Sequence, residues 1–341
     1  MANRVSTTTN TVLLPKVVDT VLGSNVFATR MLTNAKKWTS EKIRKAIKTS
    51  KNDQGGSFDG FDTFSTTAVD TRQNLNFEAK FYEIPVVLPL TEISKNKADT
   101  NKTLDLMGVE LESSAEDMAD DIGTLFYGTG TGNGGKDFLG LEAIVDDGTN
   151  AATYGGLTRA SNTTLNSTVT ASGGTLTLLK MATLRSAITS GSVKPTLGLC
   201  DETVWNLYEQ LLQPQERIMK DVPAMRSMGR DFKGFTGFTG LAFKGFPIVA
   251  DEKATSGVLY FINEDFMEWR ALPVATTQPI NFSVNDIEGN DYTSVKGLGF
   301  SWSNWIKPTN HASLVGHLYL GGELWSSNPK RHGKLTGITS V

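Results

Sequence analysis

The chain has 341 residues, of which 39% are hydrophobic and 20% charged, and its formal net charge is −3 at pH 7. This length suffices for two domains or one elaborated domain, and the acidic balance argues against a sequence-independent nucleic-acid binder, which presents a basic face. The single cysteine, Cys200, excludes an internal disulfide, and no apolar run approaches the roughly 18 residues of a membrane-spanning helix.

The first 35 residues are predicted to form an arm. Residues 1–10 are polar and rich in threonine, and an apolar strip around Pro15 follows them: Val12, Leu13, Leu14, Val17, Val18, Val21 and Leu22. An apolar strip on a terminal segment needs a surface to lie on. That surface is either the core of the same chain or a neighbouring subunit.

Residues 36–96 predict a long two-stranded excursion. A basic first limb that contains Trp38 leads to a turn at residues 52–56, and the return strand is predicted at residues 74–90. The tip carries three phenylalanines among acidic and glycine residues, namely Phe58, Phe61 and Phe64. A hairpin of this size cannot bury a core by itself. Its apolar residues therefore meet either their own domain or another subunit.

The longest predicted element is a helix over residues 100–127, with N-cap oxygens offered by Asp99 and Thr100. At about 1.5 Å per residue it is roughly 40 Å long, well above the average helix of a globular protein. Apolar residues recur at steps of three and four, which places them on one side: Leu104, Met107, Leu111, Ala115, Met118, Ile122 and Leu125. We expect this stripe to be buried and the helix to span the molecule.

The hairpin and the long helix carry opposite charges. The first limb of the hairpin is basic, with Lys36, Lys37, Lys42, Arg44, Lys45, Lys48 and Lys51. The helix is acidic, with Glu110, Glu112, Glu116, Asp117, Asp120 and Asp121. Both sets are either solvated faces or, if the limb lies over a neighbour's helix, partners that attract each other. In the second case assembly weakens with salt, which screens charges beyond about 8–10 Å.

The second half of the chain alternates helices and strands. Helices are predicted at 175–188 and at 202–212, the latter capped by Asp201 and stopped by Pro214. Apolar runs predict strands at 194–200, 241–250, 257–262, 292–306 and 312–325, of which the last two are expected to pair antiparallel. Residues 328–334 are basic and typical of a turn.

Residues 227–240 form a predicted loop in which glycine recurs every three residues at 234, 237 and 240. Three phenylalanines recur at the same spacing, namely Phe232, Phe235 and Phe238. Three phenylalanines on such a flexible backbone are hard to bury within one subunit. The loop either folds over its own subunit or meets a partner.

Glycine-rich sequence motifs follow the long helix in a fixed order. They are Phe126-Tyr127-Gly128-Thr129-Gly130, then Gly140-Leu141-Glu142-Ala143-Ile144, then Tyr154-Gly155-Gly156-Leu157-Thr158-Arg159. This ordered set, behind a long acidic helix, closely resembles the major capsid proteins of tailed double-stranded DNA bacteriophages, which have the Hong Kong-type phage capsid fold. The resemblance covers the layout of nearly the whole chain.

The resemblance implies an α+β fold with four parts. They are an N-terminal arm at 1–35, an extended β-hairpin loop at 36–96, a peripheral domain with the long spine helix at 97–171 and 286–341, and an inserted axial domain at 172–285.

The resemblance also implies a structural protein without enzymatic activity. It would self-assemble into hexamers and pentamers that form an icosahedral shell around double-stranded DNA, without sequence-specific DNA binding and without a membrane. Its location would be the virion capsid, and the host cytoplasm during assembly, with scaffold, portal and decoration proteins as partners. The candidate contact residues are Trp38, Phe58, Phe61, Phe64, Phe232, Phe235 and Phe238. The alternative is the shell of a bacterial encapsulating nanocompartment with the same fold, which encloses enzymes.

Other motifs offer weaker chemistry. Residues 130–137 fit the spacing G-x-x-x-x-G-K of a phosphate loop, but Asp137 replaces the hydroxyl residue that binds Mg²⁺. The segment also follows a helix, the reverse of the order that aims amides at phosphate. His311, His317 and His332 lack the spacing of metal ligands. We therefore expect no catalytic site, cofactor or metal, and we expect Cys200 to be a small buried core residue.

Overall fold

Two six-stranded sheets organise the chain in a computed structural model, which describes residues 25–96, 100–212, 226–227, 230–231, 241–275, 277–279, 282–285, 291–295 and 299–341. The principal helices are α1 (Val26–Thr33), α2 (Leu90–Asn96), α3 (Thr100–Tyr127), α4 (Leu178–Ile188) and α5 (Glu202–Leu212). The principal strands are β1 (Lys36–Lys37), β2 (Lys42–Lys48), β3 (Arg72–Glu78), β4 (Lys80–Pro89), β5 (Thr168–Thr175), β6 (Leu197–Cys200), β7 (Leu241–Phe243), β8 (Phe246–Ala250), β9 (Leu259–Ile262), β10 (Met267–Ala271), β11 (Gln278–Pro279), β12 (Phe282–Asn285), β13 (Asp291–Val295), β14 (Phe300–Trp302), β15 (Ser313–Ser326) and β16 (Gly333–Ser340).

The first sheet has the strand order β1, β10, β15, β14, β11, and β4 pairs with β15 as well. The β4–β15 ladder is antiparallel and runs from Pro89 opposite Ser313 to Lys80 opposite Gly322. Because β4 lies at an edge, the sheet tolerates the two prolines of this strand. Its inward residues Val86 and Leu88 are buried on the side that faces α3.

The second sheet has the order β7, β8, β6, β9, β16, β5, with parallel pairing between β8 and β6 and between β16 and β5. Helices α4 and α5 pack on it. Their shared core includes Leu184, Ile188, Val204, Tyr208, Cys200, Ile248, Phe261 and Leu335. This α/β unit is the second structural layer of the molecule.

The long helix has the bounds that the periodicity predicts, Thr100–Tyr127. Of its stripe, Leu111, Met118 and Ile122 are buried, and Leu125 is half-buried. The remaining stripe side chains and the proposed cap Asp99 lie outside the described residues. Helix α1 approaches α3 closely because Gly123 has no Cβ. Asn25, which precedes α1, occupies the space where that atom would lie. Asn25 Nδ2 donates to Ala119 O at 3.0 Å.

The predicted return strand at 74–90 is two strands. β3 pairs with β2 to form the hairpin, whereas β4 leaves the hairpin after Ala79 and joins the first sheet. The prediction was wrong here because both segments alternate apolar and polar residues. That alternation does not reveal which partner each strand takes.

Three further elements differ from expectation. The second helix begins at Leu178 rather than 175, because Thr177 caps it by accepting a bond from Lys180 N at 3.2 Å. Residues 241–250 form the hairpin β7–β8, which turns at Lys244 and Gly245 with φ of 45° and 96°. The tail at 328–334 contains a single 3-10 turn and then enters β16. Helix α5 matches its prediction, and Asp201 caps it through Val204 N at 3.2 Å.

Strand pairing crosses the predicted boundary between the two domains. β10 lies within 172–285 but pairs with β15 in the first sheet. β16 lies within 286–341 but pairs with β9 and β5 in the second. Each of these contacts joins residues far apart in the chain, which a division by sequence order cannot reveal. The predicted antiparallel pair of the last runs is present where β14 meets β15, with Phe300 opposite Leu320.

Candidate assembly interface

The root of the hairpin packs against its own subunit. On the ribbon formed by β2 and β3, Ile43, Leu75 and Phe77 share one face and are buried. The Phe77 ring lies 5.2 Å from the Tyr154 ring and 5.7 Å from the Trp325 ring, centroid to centroid. One face of the ribbon is therefore part of the main core, and its opposite face is left outward.

The motif Tyr154-Gly155 fastens this root. Tyr154 bridges to the end of β15, because its hydroxyl donates to Ser326 O at 2.9 Å and accepts from Ser326 N at 2.7 Å. Gly155 O accepts from Asn76 N on β3 at 2.9 Å. Gly155 has φ +56°, and a Cβ there would lie 2.7 Å from Leu75 Cδ2. Only glycine fits this approach of the loop to the hairpin.

Arg159 ends the same motif and is fully buried. Its guanidinium donates to four main-chain carbonyls, those of Ala143, Ile144, Asp146 and Leu165. It also lies 5.0 Å from the centre of the Tyr154 ring. A buried positive charge is costly unless it is hydrogen-bonded. The two terminal nitrogens of Arg159 are satisfied by these carbonyls, and the side chain thereby holds the loop that carries Tyr154 together as one unit.

The tip of the hairpin is built differently. Phe58 and Phe64 are each 68% exposed and Phe61 is 107% exposed, so their own chain covers the first two only in part and leaves Phe61 fully exposed. Phe58 and Phe64 meet edge to face with centroids 5.0 Å apart. Main-chain and carboxylate contacts between Asp59 and Asp62 form the turn beneath them. Three exposed phenylalanines on one turn are typical of a binding surface.

The other candidate contact residues fall into two groups. Trp38 is only 6% exposed and packs in the core of its own chain, beside β10, where its main-chain N–H donates to Ala271 O at 2.9 Å. We therefore remove its ring from the candidate contact surface. Phe232, Phe235 and Phe238 lie outside the described residues.

A charge pair that the sequence does not predict lies where the hairpin joins the first sheet. Lys80 Nζ is 3.6 Å from Glu323 Oε2 and donates to the carbonyls of Gly130 and Asp137. Glu323 is 3% exposed and accepts from Leu139 N at 2.7 Å. Burial raises the pKa of Glu323 to about 7, and the charge of Lys80 opposes this rise. The sequence feature that points to this pair is the single carboxylate, Glu323, within the apolar run of β15.

The segment that resembles a phosphate loop encloses a cation instead. The carbonyls of Gly130 and Asp137 point at the Lys80 ammonium, whereas a phosphate cradle presents amide N–H groups. The Asp137 carboxylate fills the space beside Gly132 where a Cβ would be. These oxygens disfavour an anion at this position.

Ser326 and His332 form a buried hydrogen-bonded pair whose direction is the reverse of the one that a catalytic serine requires. His332 Nδ1 accepts from Asn263 N at 3.2 Å, so in the neutral ring Nε2 carries the proton and donates to Ser326 Oγ at 2.7 Å. Burial lowers the pKa of His332 to about 3 and keeps it neutral. This tautomer cannot take a proton from the serine, and the pair links β15 to the segment after β9.

The thiol and the potential metal ligands were the other candidates for chemistry. Cys200 is fully buried in the core beneath α5, and burial raises the pKa of its thiol. In the part of the chain that the structure describes, three or more His, Cys, Asp or Glu side chains are nowhere grouped to hold a metal ion. Within the same residues, every helix is too short or too polar to cross a membrane.

No family model matches the chain, and no curated protein matches it. The structure is similar to a chain of the cyanophage A-1(L) capsid asymmetric unit, with a TM-score of 0.69 and 14% identity over 93% of each chain. It is also similar to a chain of the capsid of Myoviridae phage XM1, with a TM-score of 0.53 and 15% identity over 91% of each chain.

A further similarity is to the SrpI encapsulin complex of Synechococcus elongatus PCC 7942, with a TM-score of 0.51 and 12% identity over 92% of this chain and 87% of that chain. Each likeness spans most of the length of both chains. The chain therefore has the α+β Hong Kong-type fold that tailed-phage capsids and encapsulins share.

Proposed function

We propose that this chain is the major capsid protein of a tailed bacteriophage. In this role it assembles into hexamers and pentamers that close an icosahedral shell around double-stranded DNA. The observation that carries the proposal is the likeness to the cyanophage A-1(L) capsid chain, which spans 93% of both chains with a TM-score of 0.69. The protein is structural in this proposal, and its sheets and helices serve as a rigid frame for contacts between subunits.

The exposed hairpin tip supports this proposal. Burying one phenylalanine contributes about 2–3 kcal/mol relative to leaving it in water. Phe58, Phe61 and Phe64 are exposed in the isolated chain, so a neighbouring subunit that covers them gains several times that value before the entropy of association is subtracted. Contacts of this size are weak individually, and closure of a shell multiplies them because each subunit is held at several points.

The same proposal includes a set of partners and a location. Phage shells of this fold are built with scaffold, portal and decoration proteins, so we propose partners of these three classes. The assembled protein belongs to the virion capsid, and the subunits meet in the host cytoplasm. The proposed function requires no enzymatic activity of this chain.

An encapsulating nanocompartment is the second candidate. Its support is the likeness to the SrpI encapsulin complex, whose TM-score of 0.51 is below that of the cyanophage capsid chain. The two candidates differ in what the shell encloses, since one encloses DNA and the other encloses protein cargo.

The first experiment is electron microscopy of the purified chain, expressed alone and together with the neighbouring genes of its source genome. Closed shells or capsomer rings are the expected result. A monodisperse monomer in every combination overturns both candidates. Particles that contain nucleic acid, from a genome that encodes portal and terminase beside this chain, support the phage capsid, whereas particles filled with one co-encoded enzyme support the nanocompartment.

A further inference from the structure

The glycine-rich segment after α3 is a loop whose two ends touch. A Cβ on Gly140 would lie 2.4 Å from Gly128 O, so the ends of the loop are in direct contact. Between them, residues 131–136 are exposed, and Gly134 and Gly135 have open space where a Cβ would be. A compact surface loop with ends this close is a kind of segment that frequently has a function.

One ammonium group closes the neck of this loop. Lys80 Nζ donates to Gly130 O on the outgoing limb at 3.4 Å and to Asp137 O on the returning limb. Lys80 is the first residue of β4, so it lies outside the loop and its side chain is 21% exposed. A single side chain from another element therefore joins the two limbs.

The carboxyl group of Glu323 lies beneath this ammonium. Glu323 Oε2 is 3.6 Å from Lys80 Nζ, and Glu323 Oε1 accepts from Leu139 N on the returning limb at 2.7 Å. Glu323 is only 3% exposed. The loop, β4 and β15 thus share one network, and water reaches its carboxyl group only if the neck opens.

The base of the loop is fixed independently of this network. Phe138 is 1% exposed, and its ring centroid lies 5.1 Å from that of Trp269 in the core. Within the loop, Gly135 N donates to Thr131 O at 3.2 Å. The segment that the neck network holds is therefore residues 130–137, which can move while the anchor at Phe138 stays in place.

The other ionisable groups around Glu323 have partners elsewhere. Arg270 stands opposite Glu323 on β10, and its guanidinium pairs with a carboxylate of its own strand. The Tyr154 hydroxyl is hydrogen-bonded to the main chain of β15. The Asp137 carboxylate is turned inward within the loop. Lys80 is therefore the group whose charge acts most directly on Glu323.

We infer that Lys80 and Glu323 form a proton-controlled latch, which keeps residues 130–137 closed while Glu323 is protonated and releases them when it ionises. The physical reason is that an enclosed carboxylate lacks the solvation that an open, water-filled neck provides. Release uncovers the charged pair at the position where the hairpin enters the first sheet. This inference goes beyond the proposed function and does not rest on it.

The direction of the pH dependence follows from linkage. Burial raises the pKa of Glu323 from 4.5 to about 7 in the closed loop, and an open neck returns it toward its ordinary value. Protonation therefore favours the closed loop, and opening becomes more favourable as pH rises through 7. A complete return to the ordinary value corresponds to about a 300-fold change in the opening equilibrium.

Amide hydrogen exchange of the purified full chain at pH 5 and pH 8 tests the latch, with each rate divided by the intrinsic exchange rate at that pH. The segment 128–140 is expected to open at least about tenfold more at pH 8 than at pH 5. It is also expected to exchange at least about a hundredfold faster than β9 at both pH values, which identifies local opening. Equal rates in the loop and in β9 would indicate global unfolding and would overturn the inference.

Two variants and one control complete the test. Glu323→Gln keeps an acceptor for Leu139 N but cannot ionise, so it is expected to remove the pH dependence of the loop. Lys80→Met removes the group that joins the limbs, so exchange of the loop is expected to rise at least about tenfold even at pH 5. Lys253→Met is the matched control, because Lys253 is also 21% exposed and pairs with a carboxylate, that of Asp120. It is expected to leave the loop unchanged.

Each other outcome contradicts the latch. Corrected exchange of the loop that is equal at pH 5 and pH 8 overturns it, and so does a Glu323→Gln variant that keeps the pH dependence, because another group would then be responsible. If Lys80→Met does not fold, the unmodified chain and Glu323→Gln still decide the question. The measurement needs only the folded chain, so a failure to form shells would overturn the proposed function and leave this inference standing.

Discussion

The two ends of one hairpin differ in how they are stabilised. At the root, Phe77 lies between Tyr154 and Trp325, and the loop that holds Tyr154 is fixed by the buried guanidinium of Arg159. At the tip, Phe61 has no cover from its own chain. Burial of the root therefore stabilises the folded subunit, whereas burial of the tip stabilises a contact with a partner. The predictions below test this division, beginning with the largest expected effect on stability.

Arg159→Ala is expected to cost the most. The change removes the guanidinium donor from four buried carbonyls, of which those of Ile144 and Asp146 keep a bond from Ser167, and it empties a fully enclosed site. Each lost hydrogen bond to a charged group costs about 1.5–3 kcal/mol, so we expect a loss of at least about 4 kcal/mol in the free energy of unfolding. Chemical denaturation followed by tryptophan fluorescence measures it. The control is Arg44→Ala, which removes an exposed arginine of the hairpin and is expected to change stability by less than about 0.5 kcal/mol.

The buried carboxylate at the root makes stability depend on pH. The pKa of Glu323 is raised from 4.5 to about 7, so the stabilisation from its protonated form is complete below pH 4.5 and is lost as pH rises through 7. The pKa of His332 is lowered from 6.5 to about 3, so its contribution is complete above pH 6.5 and is lost as pH falls toward 3. The two effects oppose each other between pH 4.5 and 6.5.

Glu323→Gln separates these two effects. Glutamine keeps an acceptor for Leu139 N but does not titrate, so the variant is expected to lose the decline between pH 4.5 and 7 and to become more stable as pH rises to 6.5. The lost decline corresponds to about 3 kcal/mol in the free energy of unfolding between pH 4.5 and 7, since the pKa of about 7 already includes the attraction of Lys80. Denaturation midpoints at half-unit pH intervals measure it. An unchanged pH profile would contradict the burial of this carboxyl.

Two neighbouring glycines provide a matched pair of substitutions at the root. Gly155→Ala places a methyl group 2.7 Å from Leu75 on the hairpin, at φ +56°. Gly156→Ala meets no atom within 4 Å, and only its φ of +82° is unfavourable. We expect the first to cost about 2–3 kcal/mol and the second about 1 kcal/mol, measured by thermal unfolding. Equal losses would mean that backbone strain alone, rather than contact with the hairpin, makes Gly155 necessary.

Sequence alone predicts what is local and periodic in this molecule. The spacing of apolar residues predicts a helix over about residues 100–127, where α3 lies, and the Asp201 cap predicts the start of α5. The same reasoning does not reveal that β10 pairs in the first sheet and β16 in the second, because strand partners are chosen by contacts between distant segments. It also misses the Lys80–Glu323 pair, since the two residues are far apart in the chain and neither lies in a recognisable motif.

The candidate interface divides in the same way. The exposed phenylalanines of the tip follow from their glycine and aspartate neighbours, which cannot support a core. Trp38 looks equivalent in sequence but is buried, because its strand segment runs beside β10. Burial of a single aromatic depends on which strand it lies against, and that is set only in three dimensions.

Two phenylalanines of the same hairpin give the smallest expected change in stability and the clearest contrast. Phe61→Ser removes a ring that is already in water, so the free energy of unfolding is expected to change by less than about 0.5 kcal/mol. Phe77→Ser removes a buried ring and is expected to cost about 3–5 kcal/mol. Assembly is expected to respond to the exposed ring instead. Phe61→Ser keeps a fully folded subunit, yet it raises the protein concentration needed to form shells by at least about tenfold, because a phenylalanine covered by a neighbour contributes about 2 kcal/mol. Light scattering of matched samples measures it, and shells formed by Phe61→Ser at the unmodified concentration would remove the tip from the interface.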